Sequence, residues 1–300
     1  MTAARHVASS VRQRLLNQAR RGRRPFAELL QYFAMERFLY RLSQSEHNER
    51  FILKGALMLQ VWCSPEIRPT MDIDLLGSTN NEEDAIIAQI REILNEDVQT
   101  DGLLFDPTYI RTERITEGAE QEGIRVRFQG ALGTAQIHMQ IDIGFGDVVY
   151  PGPEVAQLPA MLDFPAPRML GYSRESTIAE KLEAMVKLGM LNSRMKDFYD
   201  IWLLSRQYEF DGPELTEAVR LTFDRRGTAL PQAVEAFTSS FADTKQVQWS
   251  AFRDRLQLEH EPTSLAEITG AADEFLSPVV EALVSAEPGP KHWAASGPWT

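Results

Sequence analysis

Apolar residues recur at helical spacing near both ends of the chain, and strict alternation of apolar and polar residues occupies part of the middle. The spacing of apolar residues over 9–45 predicts two helices. Ser10 caps the first, which ends at the break formed by Gly22 and Pro25. The second has an apolar residue at most third or fourth positions, which is the pattern of an amphipathic helix. Its apolar stripe consists of Phe26, Leu29, Leu30, Phe33, Ala34, Phe38 and Leu39.

Alternation predicts a β-hairpin in the middle of the chain. Apolar and polar side chains alternate over residues 124–129 and again over residues 137–143, and a glycine-rich turn separates the two runs. Asp142 lies on the polar face of the second strand. The arginines of the first strand, Arg125 and Arg127, are its expected neighbours on that face.

Two acids separated by one residue, Asp72 and Asp74, interrupt an otherwise apolar run. In an extended strand they point to the same face, while Met71 and Ile73 point to the other. Adjacent carboxylates repel each other unless a cation lies between them, and an all-oxygen pair suits Mg²⁺ or Mn²⁺. The alternative is an acidic strand that faces solvent.

Helical patterns return after residues 144–173, a segment rich in glycine and proline that marks a domain boundary. A capping-box pattern from Thr177 to Glu180 predicts the start of a helix that carries Lys181 beside its apolar stripe. The predicted parts are an N-terminal helical segment at 1–46, a core at 47–165, an α-helical lobe at 166–286 and a flexible tail at 287–300.

Composition and charge narrow the class of protein. The net charge of −12 conceals an N-terminal stretch, residues 1–24, that holds seven arginines and no acid. This stretch suits phosphate contact or an organelle transit peptide, and its helical spacing favours a surface helix. The single cysteine, Cys63, and the lack of a long apolar run predict a cytoplasmic protein without a membrane span. No P-loop, nucleophile elbow or clustered histidines occur.

A third carboxylate, Asp142, extends the pair Asp72 and Asp74 to a set that can hold two divalent metals. Such metals lower the pKa of an attacking hydroxyl and neutralise charge on a transferring phosphate. The alternative for Asp142 is a salt bridge to Arg125 or Arg127. Lys181 is a candidate for contact with a triphosphate, and its alternative is a solvated lysine.

A dense charged cluster follows in the predicted helical lobe. Arg194, Lys196, Asp197 and Asp200 lie within seven residues, beside an apolar stripe. This arrangement predicts the wall of an active site. The alternative is an ordinary i, i+4 ion pair between Lys196 and Asp200, which stabilises a helix by a few tenths of a kcal/mol.

Five segments, in this order, closely resemble the AbiEii/AbiGii nucleotidyltransferase toxin family. They are Leu39-Tyr-Arg-Leu-Ser43, Phe51-Ile-Leu-Lys-Gly-Ala56, the run from Arg68 to Gly77 that contains Asp72 and Asp74, Ile141-Asp-Ile-Gly-Phe-Gly-Asp147, and Ala179-Glu-Lys181 with the run from Asn192 to Asp200. The resemblance extends from about residue 8 to about residue 205. It implies an α+β fold: a polymerase-β-like nucleotidyltransferase core with a mixed sheet, N-terminal helices and an α-helical C-terminal lobe.

The resemblance also implies an activity and its participants. Similar proteins are bacterial toxins of toxin-antitoxin or phage-defence systems that use an NTP and Mg²⁺ or Mn²⁺. The MenT-like relatives transfer nucleotides to the 3′ end of tRNA. On this basis the expected substrates are an NTP and a tRNA acceptor, and the expected protein partner is an antitoxin.

Site residues follow from the matching motifs. The implied metal ligands are Asp72, Asp74 and Asp142. The implied catalytic set adds Lys181, Asp197 and Asp200. The expected nucleotide-binding residues are Lys54, Gly55, Arg68, Lys181, Arg194 and Lys196.

One departure from the family pattern leaves other functions open. After the Lys54-Gly55 step the family usually has a serine or threonine, whereas this chain has Ala56. Backbone N–H groups then remain to bind phosphate. The alternatives are nucleotide transfer to a small molecule such as an aminoglycoside, which suits the acidic surface, and an inactive relative that binds only a nucleotide or an antitoxin.

Overall fold

The computed structural model describes residues 2–62, 69–117, 121–256, 258 and 261–300. The chain forms two compact units. The first comprises Met1–Gly146 and Glu154–Gly171, and the second comprises Asp147–Pro153 and Tyr172–Thr300.

The first unit is a mixed β-sheet with helices. Its elements are α1 (Thr2–Gly22), α2 (Phe26–Gln44), β1 (Phe51–Lys54), α3 (Leu57–Val61), β2 (Ile73–Gly77), α4 (Glu83–Leu94), β3 (Leu103–Glu117), β4 (Gln121–Leu132), β5 (Ala135–Phe145), β6 (Glu154–Gln157) and β7 (Arg168–Gly171). The strand order is β3-β4-β5-β2-β1-β7-β6. Strands β2 and β5 are parallel, as are β1 and β7, and the other neighbours are antiparallel.

Alternation along the strands gives this sheet one apolar face and one polar face. Ile73 on β2 and Ile141 on β5 are fully buried in the apolar core, together with Phe33 and Phe38 of α2. The N-terminal helices therefore belong to the same core as the sheet and do not form a segment of their own. The opposite face carries the charged residues of β1, β2, β4 and β5.

The second unit is mainly helical. Its elements are α5 (Arg174–Leu188), α6 (Met195–Gln207), β8 (Phe210–Asp211), α7 (Gly212–Arg226), α8 (Ser239–Leu256), α9 (Leu265–Ser285) and β9 (His292–Trp293). Aromatic rings fill its core; the ring centroids of Phe198 and Phe241 are 5.2 Å apart and the ring planes lie at 29° to each other. The mixed sheet, the N-terminal helices and this helical unit confirm the predicted α+β class.

Several local expectations differ from the structure. The glycine- and proline-rich segment 144–173 contributes β6 and β7 to the sheet, because these short edge strands carry too few residues for alternation to be seen. Helix α5 begins before the expected capping box, since the Ser173 hydroxyl accepts a hydrogen bond from the backbone N–H of Ser176. Helix α1 likewise begins before Ser10.

The C-terminal residues are ordered and not a flexible tail. Strand β9 pairs with β8. The side chains of Trp293 and Trp299 pack against Phe275, with ring centroids 4.8 and 5.6 Å from that of Phe275. Isolated tryptophans have no periodicity, so a pattern of apolar spacing cannot detect this packing.

Of the helices in the part of the chain that the structure describes, none has the length and apolar character needed to cross a membrane.

Candidate active site

A row of charged residues crosses the polar face of the sheet in the first unit. Asp74 on β2 is in register with Lys54 on β1 and with Asp142 on β5. Asp142 is in turn in register with Arg125 on β4. Directly paired residues on neighbouring strands point to the same face, so the sheet brings two predicted carboxylates side by side between two cations.

Arg125 holds Asp142 with two hydrogen bonds. Its Nε lies 2.8 Å from Oδ1 of Asp142, and one terminal nitrogen lies 2.7 Å from Oδ2. The Asp142 side chain is 13% exposed and that of Arg125 is 29% exposed. These hydrogen bonds, aided by the charges of Asp142 and Asp72, raise the pKa of Arg125 against the opposing effect of burial. The salt bridge expected as the alternative for Asp142 is thus present.

Asp72 immediately precedes β2, because the strand begins at Ile73. Its backbone N–H and carbonyl are both within hydrogen-bond distance of the Thr70 hydroxyl, which fixes the turn into the strand. Its charge acts on Arg125 and helps to raise the pKa of that guanidinium. Met71 is half-exposed and does not share the buried face of the strand, since it too lies before the strand.

Gly55 allows the backbone to approach Asp74. Its φ angle is +72°, and a Cβ atom there would lie 2.1 Å from Oδ2 of Asp74. Any other residue would collide with that carboxylate, so glycine is required by both the conformation and the space. Lys54, one residue earlier, is buried at the end of β1.

The three carboxylates suit a divalent metal. They offer only oxygen donors, the ligands that Mg²⁺ prefers. An ionised carboxylate has about four lone-pair sites, and Arg125 uses two of those on Asp142. Asp142 can therefore keep its bonds to Arg125 and still offer oxygen lone pairs to a metal beside Asp74.

The second unit contains its own buried ionic cluster, formed between α5 and α6. The ammonium group of Lys181 donates to Oδ1 of Asp197 and to Oδ2 of Asp200, each at 2.8 Å. The Asp197 and Asp200 side chains are nearly inaccessible. The structure thus brings together the lysine and both acids of the later family motifs.

Arg194 completes this cluster from the N-terminal end of α6. Its Nε lies 2.7 Å from Oδ2 of Asp197. Burial alone would raise the pKa of Asp197, but the charges of Lys181 and Arg194 outweigh it and lower the pKa below its ordinary value. The suggested pair of Lys196 with Asp200 is wrong, because Asp200 faces Lys181 and Lys196 is exposed.

A second ionic group in this unit was not foreseen. Arg226 of α7 pairs with Asp147 and Glu183, with shortest distances of 2.9 Å to each, and all three side chains are buried. Asp147 belongs to the glycine-rich motif that follows Asp142. Its partner lies 79 residues away in sequence, so no local pattern indicates the contact.

The predicted residues therefore divide between two groups. Lys54, Gly55, Asp72, Asp74 and Asp142 lie in the first unit, and Lys181, Arg194, Lys196, Asp197 and Asp200 lie in the second. Arg68, predicted to bind nucleotide, lies outside the described residues. Alternation along the hairpin indicated Arg125 only as an ion-pair partner of Asp142. Its position directly opposite Asp142 in the strand register is the signal that it also orients the Asp142 carboxylate.

The chain matches a known protein family over most of its length. The model of the nucleotidyl transferase AbiEii toxin, of a type IV toxin-antitoxin system, matches residues 37–281. Among solved structures, the chain is similar to JHP933 from Helicobacter pylori, with a TM-score of 0.51 and 13% identity over 86% of this chain and 95% of that one. No curated protein sequence matches.

A candidate nucleotidyltransferase from H. pylori is also similar, with a TM-score of 0.50 and 13% identity over 87% of this chain and 98% of that one. At this identity the two structures show the fold alone. The family model, in contrast, covers most of the chain and includes all of the predicted site residues. The chain belongs to the AbiEii family of nucleotidyltransferase toxins of type IV toxin-antitoxin systems.

Proposed function

We propose that this nucleotidyltransferase moves an NMP group from an NTP to the 3′ end of a tRNA in a reaction that needs Mg²⁺. The observation that carries the proposal is the in-register pair of Asp74 and Asp142, with Gly55 packed directly against Asp74. Two carboxylates side by side on one face of a sheet repel each other, and metal binding would offset that repulsion. The family membership supplies the reaction class.

In the proposed reaction the acceptor hydroxyl attacks the α-phosphorus of the NTP. A new P–O bond forms, the bond to the β-phosphate oxygen breaks, and pyrophosphate leaves. Asp142, oriented by Arg125, accepts the hydroxyl proton or directs the hydroxyl towards phosphorus. A divalent metal held by Asp72, Asp74 and Asp142 would lower the pKa of that hydroxyl and offset charge on the phosphates.

The backbone at Gly55, in the first unit, is proposed to hold the triphosphate. Gly55 has no side chain to cover its backbone, and backbone N–H groups at this step would donate to a phosphate oxygen. Ala56 provides no hydroxyl at this step, so backbone donors carry the contact.

The test is transfer of label from α-labelled NTPs to total tRNA in the presence of Mg²⁺. Each of the four NTPs is tried separately, and the Asp72→Ala/Asp74→Ala double variant serves as the control. We expect label in the tRNA fraction with the wild-type chain only. Absence of transfer with every nucleotide, or equal transfer by the double variant, would overturn the proposal.

A small-molecule acceptor is the second candidate. The observation in its favour is the net charge of −12, which repels a polyanion and attracts a cationic acceptor such as an aminoglycoside. The same labelled NTPs are therefore offered with a set of aminoglycosides in place of tRNA. Transfer to an aminoglycoside, without transfer to tRNA, would favour this candidate over the first.

The type IV family also implies a cognate antitoxin, encoded with the toxin. We propose that expression of this chain alone slows bacterial growth and that co-expression of the neighbouring gene product restores it. The Asp72→Ala/Asp74→Ala variant is expected to have no effect on growth. Growth inhibition by this variant equal to that of the wild type would show that toxicity does not depend on the carboxylate site.

A further inference from the structure

The central part of helix α2 is buried on all sides. Every residue from Leu29 to Leu39 is buried, and this stretch includes the amide side chain of Gln31, which is 7% exposed. A buried amide costs free energy unless its polar groups are hydrogen-bonded. The partners of Gln31 therefore show which part of the chain this helix holds in place.

The amide nitrogen of Gln31 joins two separate segments of the first unit. It lies 3.1 Å from the carbonyl oxygen of Met71 and 3.1 Å from that of His138. An amide nitrogen carries two N–H groups, so one side chain donates to both carbonyls. Met71 immediately precedes Asp72, and His138 lies on β5, four residues before Asp142. Gln31 thus ties the turn before β2 to the strand that carries Asp142.

Tyr32, the next residue of α2, holds the same turn. Its hydroxyl oxygen accepts a hydrogen bond from the backbone N–H of Thr70, at 2.9 Å. The Thr70 hydroxyl is itself within hydrogen-bond distance of the backbone of Asp72. Helix α2 therefore holds the backbone just before Asp72 at two points, the N–H of Thr70 and the carbonyl of Met71.

These contacts have a particular importance because Asp72 lies outside the strand pairing. The pairing of β2 with β5 begins at Ile73 and Ile141 and includes Asp74 opposite Asp142. The register of the sheet therefore fixes Asp74 and Asp142 directly. The backbone of Asp72 depends instead on the turn, which the Thr70 hydroxyl and the two side chains of α2 stabilise.

We propose that Gln31 and Tyr32 are positioning residues that orient the Asp72 carboxylate for metal binding. This role rests on the proposed function, which makes Asp72 a metal ligand. Residues that orient a metal ligand typically contribute about 10–100-fold to metal affinity or activity. Both residues precede the part of the chain that the family model matches, residues 37–281, so the family match does not indicate this role.

The experiment measures binding of Mn²⁺ to the full chain without NTP or acceptor. The electron paramagnetic resonance signal of free Mn²⁺ is followed as the protein is titrated. The test variant, Gln31→Met, keeps an unbranched side chain of similar length but removes both N–H donors. The control, Gln18→Met, removes the same kind of bond in α1, where the amide nitrogen of Gln18 lies 2.8 Å from the carbonyl oxygen of Met161.

We expect Gln31→Met to bind Mn²⁺ at least about tenfold more weakly than the wild type, while Gln18→Met binds as the wild type does. Tyr32→Phe keeps the ring and removes only the hydroxyl, so it should weaken binding in the same direction. Thermal unfolding is measured for each variant. A purely structural role of Gln31 would lower the thermal stability and leave the Mn²⁺ dissociation constant of the folded protein unchanged.

Unchanged Mn²⁺ affinity in a folded Gln31→Met variant would overturn this role, and so would equal weakening in Gln18→Met. If Gln31→Met does not fold, Tyr32→Phe decides by the same criterion. The Asp72→Ala/Asp74→Ala variant shows whether Mn²⁺ binds at the carboxylates, and binding that it retains in full would overturn the metal assignment and this role together. Because no acceptor is present, the role of Gln31 can fail while the proposed transfer stands, and it can be supported where no transfer to tRNA is found.

Discussion

Replacement of Gly55 by alanine is expected to damage catalysis far more than folding. The added Cβ atom would lie 2.1 Å from Oδ2 of Asp74, whereas real Cβ atoms almost never approach other atoms within 3.0 Å. The Asp74 carboxylate must therefore move by about 1 Å, or the backbone must shift by as much. Misplacement of a reacting group by about 1 Å costs on the order of 100-fold in rate.

The backbone conformation adds a separate cost. Gly55 has a φ angle of +72°, where an L-residue is destabilised by roughly 1–2 kcal/mol. Gly133 provides a matched control, because its φ is +63° and a Cβ atom there would meet nothing within 4 Å. Gly133→Ala thus carries the conformational cost without the collision, and its hairpin turn lies away from the carboxylates.

The assay compares kcat for transfer of labelled nucleotide, together with the thermal unfolding of both variants. We expect a loss of stability in both variants, larger for Gly55→Ala because of the collision, a rate near that of the wild type for Gly133→Ala, and a rate lower by about 100-fold for Gly55→Ala. Equal transfer rates for the two variants would refute the reasoning, because Asp74 could then move without consequence.

Three further predictions concern the ion pairs. Arg125→Met should lower kcat by roughly 10–100-fold with little change in KM for the NTP, since Asp142 loses its orienting partner; an equal rate would contradict this role. Lys181→Met should lower the free energy of unfolding in urea by about 3–5 kcal/mol, because two buried acids lose their cation. Since the pKa of folded Asp197 lies below its ordinary value of 3.8, its contribution to stability should persist above about pH 4 and disappear as the pH falls through the lowered pKa. Urea unfolding at several pH values checks this. We expect Asp197→Asn to abolish that part of the dependence of the free energy of unfolding on pH.

Part of the carboxylate row has a short sequence signature. Alternation along the hairpin places Asp142 on the polar face beside Arg125, as in the structure, whereas Asp72 lies before β2. Strand register, however, is not encoded locally. That β2 lies beside β5 in parallel, with Asp74 opposite Asp142, depends on the whole sheet.

Other features depend on contacts between distant residues and therefore had no local signal. The edge strands β6 and β7 are four residues each, too short for alternation to be distinguished from a loop. The pairing of Lys181 with Asp200, and of Arg226 with Asp147, joins separate elements. The sequence placed a lysine and two acids in neighbouring helices, but only the packing of α5 against α6 shows that they form one buried cluster.

The most direct test of the account is the rate of Mg²⁺-dependent nucleotide transfer by Asp74→Asn compared with the wild type. This change keeps the shape of the side chain and its place beside Gly55 and Asp142, but it removes the charge that a metal would bind. We expect a rate lower by at least about 100-fold, with the fold retained in thermal unfolding. Transfer by a folded Asp74→Asn variant at the wild-type rate would contradict the assignment of the carboxylate row as the active site.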